Sequence, residues 1–589
     1  MNYKLLKYKM KKAKYLYEKH GVKGLSNKIL DKNKKYNSYS EWFYEHAVSN
    51  KEIDKQCQKT IKMLNKPCVE VIILPGINED SNKAIPSLEE QTYSEWTSII
   101  LENEPRKKGY GIKDDYMNSF EKAIRDKDKS MLEQIHDMVR NTDADIILFT
   151  RLDKEFAPNY LYELVNSYLD KTFEVYYTDS DFVAEVDGEH YAPDFKPDYS
   201  IDMLRSCNYI GEVFAISKTT LMNIETDKEL GLETVESTLY SVILQSCENA
   251  RVITHCPQVL VHNVYESEDI DKIFEEEKRI LEKQLNRVEQ PADVQINKQY
   301  KVFDLKYKLK EHPLVSILIP NKDQVETLAR CIESIEKSTY DNYEVIIIEN
   351  NSTEEETFAY YEEVKKKGIK VVVWKSIFNY SAINNFGASH AKGDYYVLLN
   401  NDIEITSPDW MERMLGNCMR PGIGIVGAHL YYPDKTVQHA GIVVGLGGVA
   451  QNLYPGLDGK VGGYHNRVFT QQNYSAITAA MFMVSKKIFQ QVGGLEERLQ
   501  VAFNDVDFCL KVAKAGYWNV YDPNVTALHY ESKSRGKEDT PEKKLRFAGE
   551  IDYMRTKWKG ILLEGDPFYN VNLSMARPDF ALEGLDEAL

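Results

Sequence analysis

ADIILFTRLDKE, residues 144–155, and GDYYVLLNNDIE, residues 393–404, follow one pattern. In each, an apolar run of strand length breaks abruptly into polar side chains that include an aspartate, Asp153 or Asp402. A second pair, TYSEWTSIILEN (92–103) and TYDNYEVIIIEN (339–350), repeats at nearly the same offset. VEVIILP (69–75) and VSILIP (315–320) open the two copies. Self-similarity on this scale implies two domains of one fold rather than a short-repeat solenoid.

Within the second copy, VSILI, EVIII, KVVVW and DYYVLL predict strands, and 324–338, 354–367 and 381–391 predict helices. That alternation reads as a mostly parallel sheet flanked by helices. Ligands in such sheets bind beyond the carboxyl ends of the strands. Glu349 and Asn350 end one strand there, and Asn400, Asn401 and Asp402 end another. Capping of the next turn explains Asn350 to Ser352 on its own. It explains Asp402 less well, because Ile403 to Ile405 stay extended in pattern. Between the copies, Ile270, Ile273, Phe274, Ile280, Leu281 and Leu285 have helical spacing and Pro291 ends it, which predicts a linker helix. GLGGVA (445–450) fits a dinucleotide fingerprint, but the Pro- and Gly-rich stretch after it predicts a loop where that site needs a helix.

The 589 residues exceed one core. Eight cysteines without CxxC spacing point to reduced thiols rather than a disulfide framework. No stretch reaches the roughly 20 apolar residues of a membrane span, and the start has no apolar core of a secretory signal. Net charge is -17, yet the first 36 residues hold twelve lysines against Glu18 and Asp31. Tyr3, Leu6, Met10, Ala13 and Tyr17 share one helical face of that arm. It suits either an anionic membrane surface, giving a cytoplasmic, peripheral location, or docking on the acidic body. The acidic body argues against nucleic acid as a partner.

Two clusters further on complete a chemical set. FNDVDFCLKVAKAGY carries Asp505 and Asp507 ahead of a helical pattern, and VTALHYESKSRG carries His529, Lys533 and Arg535. Singly, Asp505 could cap a helix and His529 could be a core histidine. Together with Asp402 they offer a carboxylate and an imidazole for a divalent metal, a second carboxylate as base, and cations for a diphosphate.

With these motifs, and with VSILIPNKD, YEVIIIENNST, FNYSAINNFGASHAKGDYYVLLNNDIEI, VQHAGIVVGLGGVA, SAITAAMFMVSKKIF and the tail DPFYNVNLS, the chain resembles bacterial family-2 glycosyltransferases of GT-A fold. The resembling type is the tandem one of O-antigen and cell-wall polysaccharide assembly, which includes rhamnosyltransferases. The resemblance implies a basic helical arm (1–45), a degenerate GT-A-like domain (46–263), a linker helix and strand (264–312), a catalytic GT-A domain (313–536) and a helical tail (537–589). It implies an inverting, metal-dependent transfer from a UDP- or dTDP-linked sugar to a lipid-linked or growing polysaccharide. Asp402, Asn400 and His529 would hold Mn²⁺ or Mg²⁺. Glu349, Asn350, Asn385, Asn401, Lys533 and Arg535 would contact the donor, and Asp505 would be the base. A non-catalytic glycan-binding scaffold is the competing reading, which the presence of Asp402, Asp505 and His529 disfavours.

The first copy departs from this set. Arg151 stands beside Asp153, the base region LETVESTLYSVILQ offers Glu233 and Glu236 but no aspartate, and His262 in VLVHN matches His529. The expectation is a first domain without transferase activity, with a second active transferase using Glu236 as its rival.

Overall fold

Residues 36, 38–77, 81–103, 121–226, 230–265, 269–530 and 540–585 are described by a computed structural model. Residues 1–35 of the basic arm, and Lys533 and Arg535 in 531–539, lie outside the described residues. The first unit contributes β1 (Val69–Leu74), β2 (Trp96–Glu102), β3 (Glu121–Ile124), β4 (Ile146–Arg151), β5 (Lys154–Phe156), β6 (Val175–Val183), β7 (His190–Asp194), β8 (Phe214–Ser217) and β9 (Ile253–Asn263). A hairpin of β10 (Ala292–Asn297) and β11 (Val302–Tyr307) follows the linker helix Ile270–Arg287. The second unit contributes β12 (Val315–Asn321), β13 (Tyr343–Glu349), β14 (Lys370–Val373), β15 (Tyr395–Leu399), β16 (Ile403–Ile405), β17 (Ile423–Tyr431) and β18 (Val437–His439). It continues with β19 (Ile442–Val444), β20 (Ala450–Asn452), β21 (Gln472–Asn473), β22 (Met481–Ser485) and β23 (Trp518–His529).

The two sheets have the same strand order, β3-β2-β1-β4-β8-β6-β9-β5 and β14-β13-β12-β15-β22-β17-β23-β16. The repeat read from the sequence is therefore a repeat of topology, and the two-unit α/β architecture is present. In each sheet the first four strands run parallel, as β13, β12 and β15 do in the second. The far half is mixed: β22 runs antiparallel to β15 and β17, and β16 antiparallel to β23. The central strands β12, β13 and β15 have largely apolar runs because both of their faces are covered. Leu398 and Tyr396 pack into one core, and Val397 and Leu399 into the other. Such double burial removes the polar alternation of a half-exposed strand, and each buried Leu or Val contributes about 1.5–3 kcal/mol. GLGGVA forms a short 3₁₀ turn and the strand β20, and no helix follows it.

The units are locked by buried polar contacts. Arg420 meets Asp202 at 2.7 Å, and its Nη1 donates to the Tyr307 hydroxyl. The tail motif DPFYN crosses the junction. Asp566 accepts from the Val444 amide and the Ser475 hydroxyl in the second unit, while Asn570 donates to Asp179 and to the Lys196 carbonyl in the first. The helix Tyr39–His46, assigned by sequence to the arm, instead shares a core with Phe195 and with second-unit residues.

Candidate functional site

The second sheet delivers its polar residues to one end. Asn400, Asn401 and Asp402 follow β15, where the parallel neighbours β12 and β13 also stop. The Asn400 amide still donates to the Ala480 carbonyl, so the strand is held up to the point where it turns polar. Pairing of β16 with β23 sets Ile403 opposite His529. Asp402 thereby lies 3.2 Å from the His529 Nε2, and both side chains are buried. Asp402 Oδ1 and His529 Nδ1 have no hydrogen-bond partner among the described residues. A buried carboxylate oxygen and imidazole nitrogen left this way cost stability unless something else satisfies them. They are an oxygen and a nitrogen donor of the kind a divalent cation takes, so the pair fits the implied metal. Asn400 also faces this end, with its Oδ1 accepting from the Tyr380 hydroxyl at 3.3 Å.

Asp505 reaches the same end from a helix. It is the second residue of Asn504–Lys514, whose N-cap, Phe503, has a left-handed φ of 59°. The tail helix Pro541–Lys557 fixes this turn: Glu550 accepts from the Val501 and Ala502 amides, and the Phe547 ring stacks on Phe503. Asp505 Oδ1 accepts from the Val506 amide and Oδ2 from the Ala479 amide at 3.3 Å. The Ala479 carbonyl in turn accepts from Tyr380, so the backbone of one residue joins the Asp505 and Asn400 neighbourhoods. Burial pushes the Asp505 pKa up from the ordinary aspartate value, against the opposing hydrogen bonds.

The other sequence candidates have local duties. Asn401 Nδ2 donates to Asn321 Oδ1 at 2.6 Å. Glu349 is buried, and its carboxylate accepts from the Ser352 amide and hydroxyl and from the Tyr361 hydroxyl. Asn350 donates to the Ser376 carbonyl. Asn385 both donates to the Leu495 carbonyl and accepts from the Leu495 amide, which docks the 494–497 loop. Asn385 in particular spends its whole amide on protein. Tyr380 was missed in the sequence, although it stands inside a quoted motif. So was His439 in VQHAG. Burial pushes His439 down to about 4, its Nδ1 pairs with the Asn452 Oδ1 at 2.7 Å, and His529 is close enough to disfavour its charge further.

The first sheet ends differently. Arg151 occupies the Asn400 position, almost fully buried, and its Nη1 donates to Glu212 at 2.9 Å and to Glu236 at 2.6 Å. Lys154, at the Ile403 position, pairs with Glu212 at 2.6 Å. Burial raises the Glu212 pKa, but Lys154 and Arg151 outweigh it and hold it down to about 2. Asp153 accepts from the Ile77 amide. Glu236 is the second residue of its helix, as Asp505 is of its own. One expectation needs correction. His262 is not the counterpart of His529: Lys154 pairs with Asn263 as Ile403 pairs with His529, so Asn263 takes that place. His262 points to the other face of the sheet, because neighbouring strand residues alternate. Among the described residues, the group of three ligand-bearing side chains close enough to share a cation is Asp181, His190 and His262, in the first unit.

Residues 316–493 match the model of a family described as Glycosyl transferase family 2. The uncharacterized protein y4gI of Sinorhizobium fredii is 38% identical over 426 residues, covering 69% of this chain and 46% of that protein. The O-antigen biosynthesis protein RfbC of Myxococcus xanthus is 30% identical over 453 residues, covering 74% of this chain and 34% of that protein. The N-acetylglucosaminyl-diphospho-decaprenol L-rhamnosyltransferase of Mycobacterium tuberculosis is 25% identical over 153 residues, covering 25% of this chain and 50% of that protein. The chain spans half or less of the length of these relatives. No helix among the described residues is long and apolar enough to cross a membrane.

Proposed function

We propose that the chain, whose residues 316–493 form a glycosyl transferase family 2 domain, moves a sugar from a nucleotide-sugar donor to a surface-polysaccharide acceptor with inversion at the anomeric carbon. The observation that carries this reading is the meeting of Asp402, His529 and Asp505 at one end of the second sheet. Asp402 and His529 would hold Mn²⁺ or Mg²⁺, with Asn400 beside them. When bound, the cation neutralises charge gathering on the departing nucleoside diphosphate.

Asp505 supplies the base. The sheet end holds the donor while the acceptor hydroxyl approaches from the helix side. Asp505 takes the hydroxyl proton as that oxygen bonds to the anomeric carbon and the bond to the diphosphate breaks. A single displacement inverts the configuration. The amides of Val506 and Ala479 keep the carboxylate oriented, and burial makes it a stronger base than a surface aspartate. Lys533 and Arg535, which lie outside the described residues, are the proposed cations for the diphosphate. One relative is named for transfer to N-acetylglucosaminyl-diphospho-decaprenol and another for O-antigen biosynthesis. By analogy the acceptor is a lipid-linked precursor, and the donor a UDP- or dTDP-sugar.

The first unit is proposed to be non-catalytic, because its base position, Glu236, is held by Arg151. The test is a transfer assay with the anomeric configuration of the product read by NMR. Asp505→Asn should keep nucleotide binding and lose at least about 10²-fold in turnover. Near-normal transfer by that variant would remove Asp505 from the reaction.

A further inference from the structure

Four adjacent strands of the first sheet, β7, β6, β9 and β5, place His190, Asp181, His262 and Glu155 on one face. Register fixes this: Asp181 lies opposite His262, His262 opposite Glu155, and His190 opposite Val183, two residues along from Asp181. The ligand atoms of Asp181, His190 and His262 lie within 4.8 Å of one another, and all three residues are buried. His262 Nδ1 is 2.6 Å from Asp181 Oδ1, and His190 Nδ1 is 2.8 Å from Oδ2. Tyr39 donates its hydroxyl to the same Oδ2 at 2.8 Å. Phe43 stacks on the His190 ring at 3.8 Å and meets His262 edge-on. His190, His262 and Glu155 also line a cavity of about 830 Å³, which gives the cluster a path to solvent.

The fold does not require this polarity. In the second unit, Tyr431 lies opposite Leu528, and Leu528 opposite Glu404. The same lattice positions therefore hold Tyr431 and Leu528 where the first unit holds Asp181 and His262. Hydrogen bonds to Asp181 satisfy the two imidazoles as they stand, and the second unit shows the sheet closing with an aromatic and an aliphatic side chain at two of the three positions. The cluster also lies on the opposite face of β5 and β9 from Lys154 and Asn263, so it is no remnant of a donor site.

We propose that Asp181, His190 and His262 bind a zinc-class divalent ion in the first unit. Two imidazoles and a carboxylate are a donor set for zinc, with Zn–N and Zn–O bonds of about 2.0–2.2 Å. Binding through Nδ1 needs each neutral ring to carry its proton on Nε2. It also needs the ligand atoms to spread from hydrogen-bonding to tetrahedral separation, a side-chain rotation. Tyr39 or a water from the cavity completes the shell. The ion would tie the helix Tyr39–His46 to three strands. This site is independent of the transfer reading, since Asp402 and His529 belong to the other unit.

The test uses full-length protein stripped with chelator and titrated with Co²⁺, whose tetrahedral complexes absorb strongly in the visible, alongside elemental analysis for zinc. Wild type and Asp402→Ala should each show one tetrahedral Co²⁺ per chain, displaced by zinc. His262→Leu, the residue the second unit carries, and His190→Gln should abolish it. A wild-type protein that takes up neither Co²⁺ nor zinc at this stoichiometry overturns the proposal, and so does an unchanged spectrum in folded His262→Leu. Should the variants fail to fold, the wild-type and Asp402→Ala stoichiometries decide: one tetrahedral ion in both supports the site, and none in Asp402→Ala assigns the ion to the second unit and overturns it.

Discussion

The two sheet ends are built on one lattice and solve opposite problems. In the second unit, Asp402 and His529 are brought together and left with unsatisfied atoms. In the first, Arg151 and Lys154 bring the positive charge from within the chain, and Glu212 and Glu236 complete it. A guanidinium with two carboxylate partners leaves nothing for a cation to do. The lesson is that strand order and core burial survive a complete exchange of site chemistry, because the apolar runs and the polar strand ends carry separate information.

Removing the internal cation should have the largest effect. Arg151→Ala leaves the partly buried Glu212 and Glu236 with Lys154 as their cation, and should cost about 3 kcal/mol in denaturant unfolding, the low end for a fully buried pair. The transfer rate per folded molecule should not change. A fall in that rate would break the comparison by giving the first unit a share in the chemistry.

Acid should separate the units next. Burial raises the Asp505 pKa, so its proton-accepting form is lost as pH falls through a value above the ordinary aspartate's, about 3.9. Below it, kcat/KM should drop tenfold per pH unit. Glu212 is held down to about 2, so the stability it contributes is present above the ordinary glutamate range and is lost only as pH falls toward that value. Acid should therefore silence transfer before hydrogen exchange in β4 accelerates. Exchange rising first would reverse this order.

The smallest effect is expected from Asn263→His, which restores an imidazole at the His529 position. Lys154 and Arg151 still fill the site, so no manganese-dependent nucleotide binding should appear in an Asp402→Ala background. Stability should change by about 1 kcal/mol, the scale of the lost Asn263 hydrogen bonds. New nucleotide binding would show that one side chain separates the two states.

Much of this was legible in the sequence, for definite reasons. Strands buried on both faces give unbroken apolar runs, so β12, β13 and β15 and their first-unit counterparts could be found and matched. The polar ends of those runs marked the sheet end where Asp402 and His529 meet. Register was not legible. His262 and Asn263 are adjacent, and only pairing with β5 decides which takes the place of His529, since a one-residue shift exchanges faces. Partners distant in sequence were equally hidden. Glu212 gives no local sign that it will meet Lys154, nor Asn570 that it will reach Asp179 across the junction. Glu349 stands at a ligand edge in sequence, but its oxygens close on Ser352 and Tyr361.

The most direct measurement is a calorimetric titration with UDP and with dTDP, each with and without Mn²⁺, on the wild-type protein and on Asp402→Ala. Manganese-dependent binding of one nucleotide, lost in Asp402→Ala, is the expected result, and it places the donor at the end of β15. Binding that survives in Asp402→Ala, or no binding of either nucleotide with manganese present, would contradict a metal-assisted donor site in the second unit.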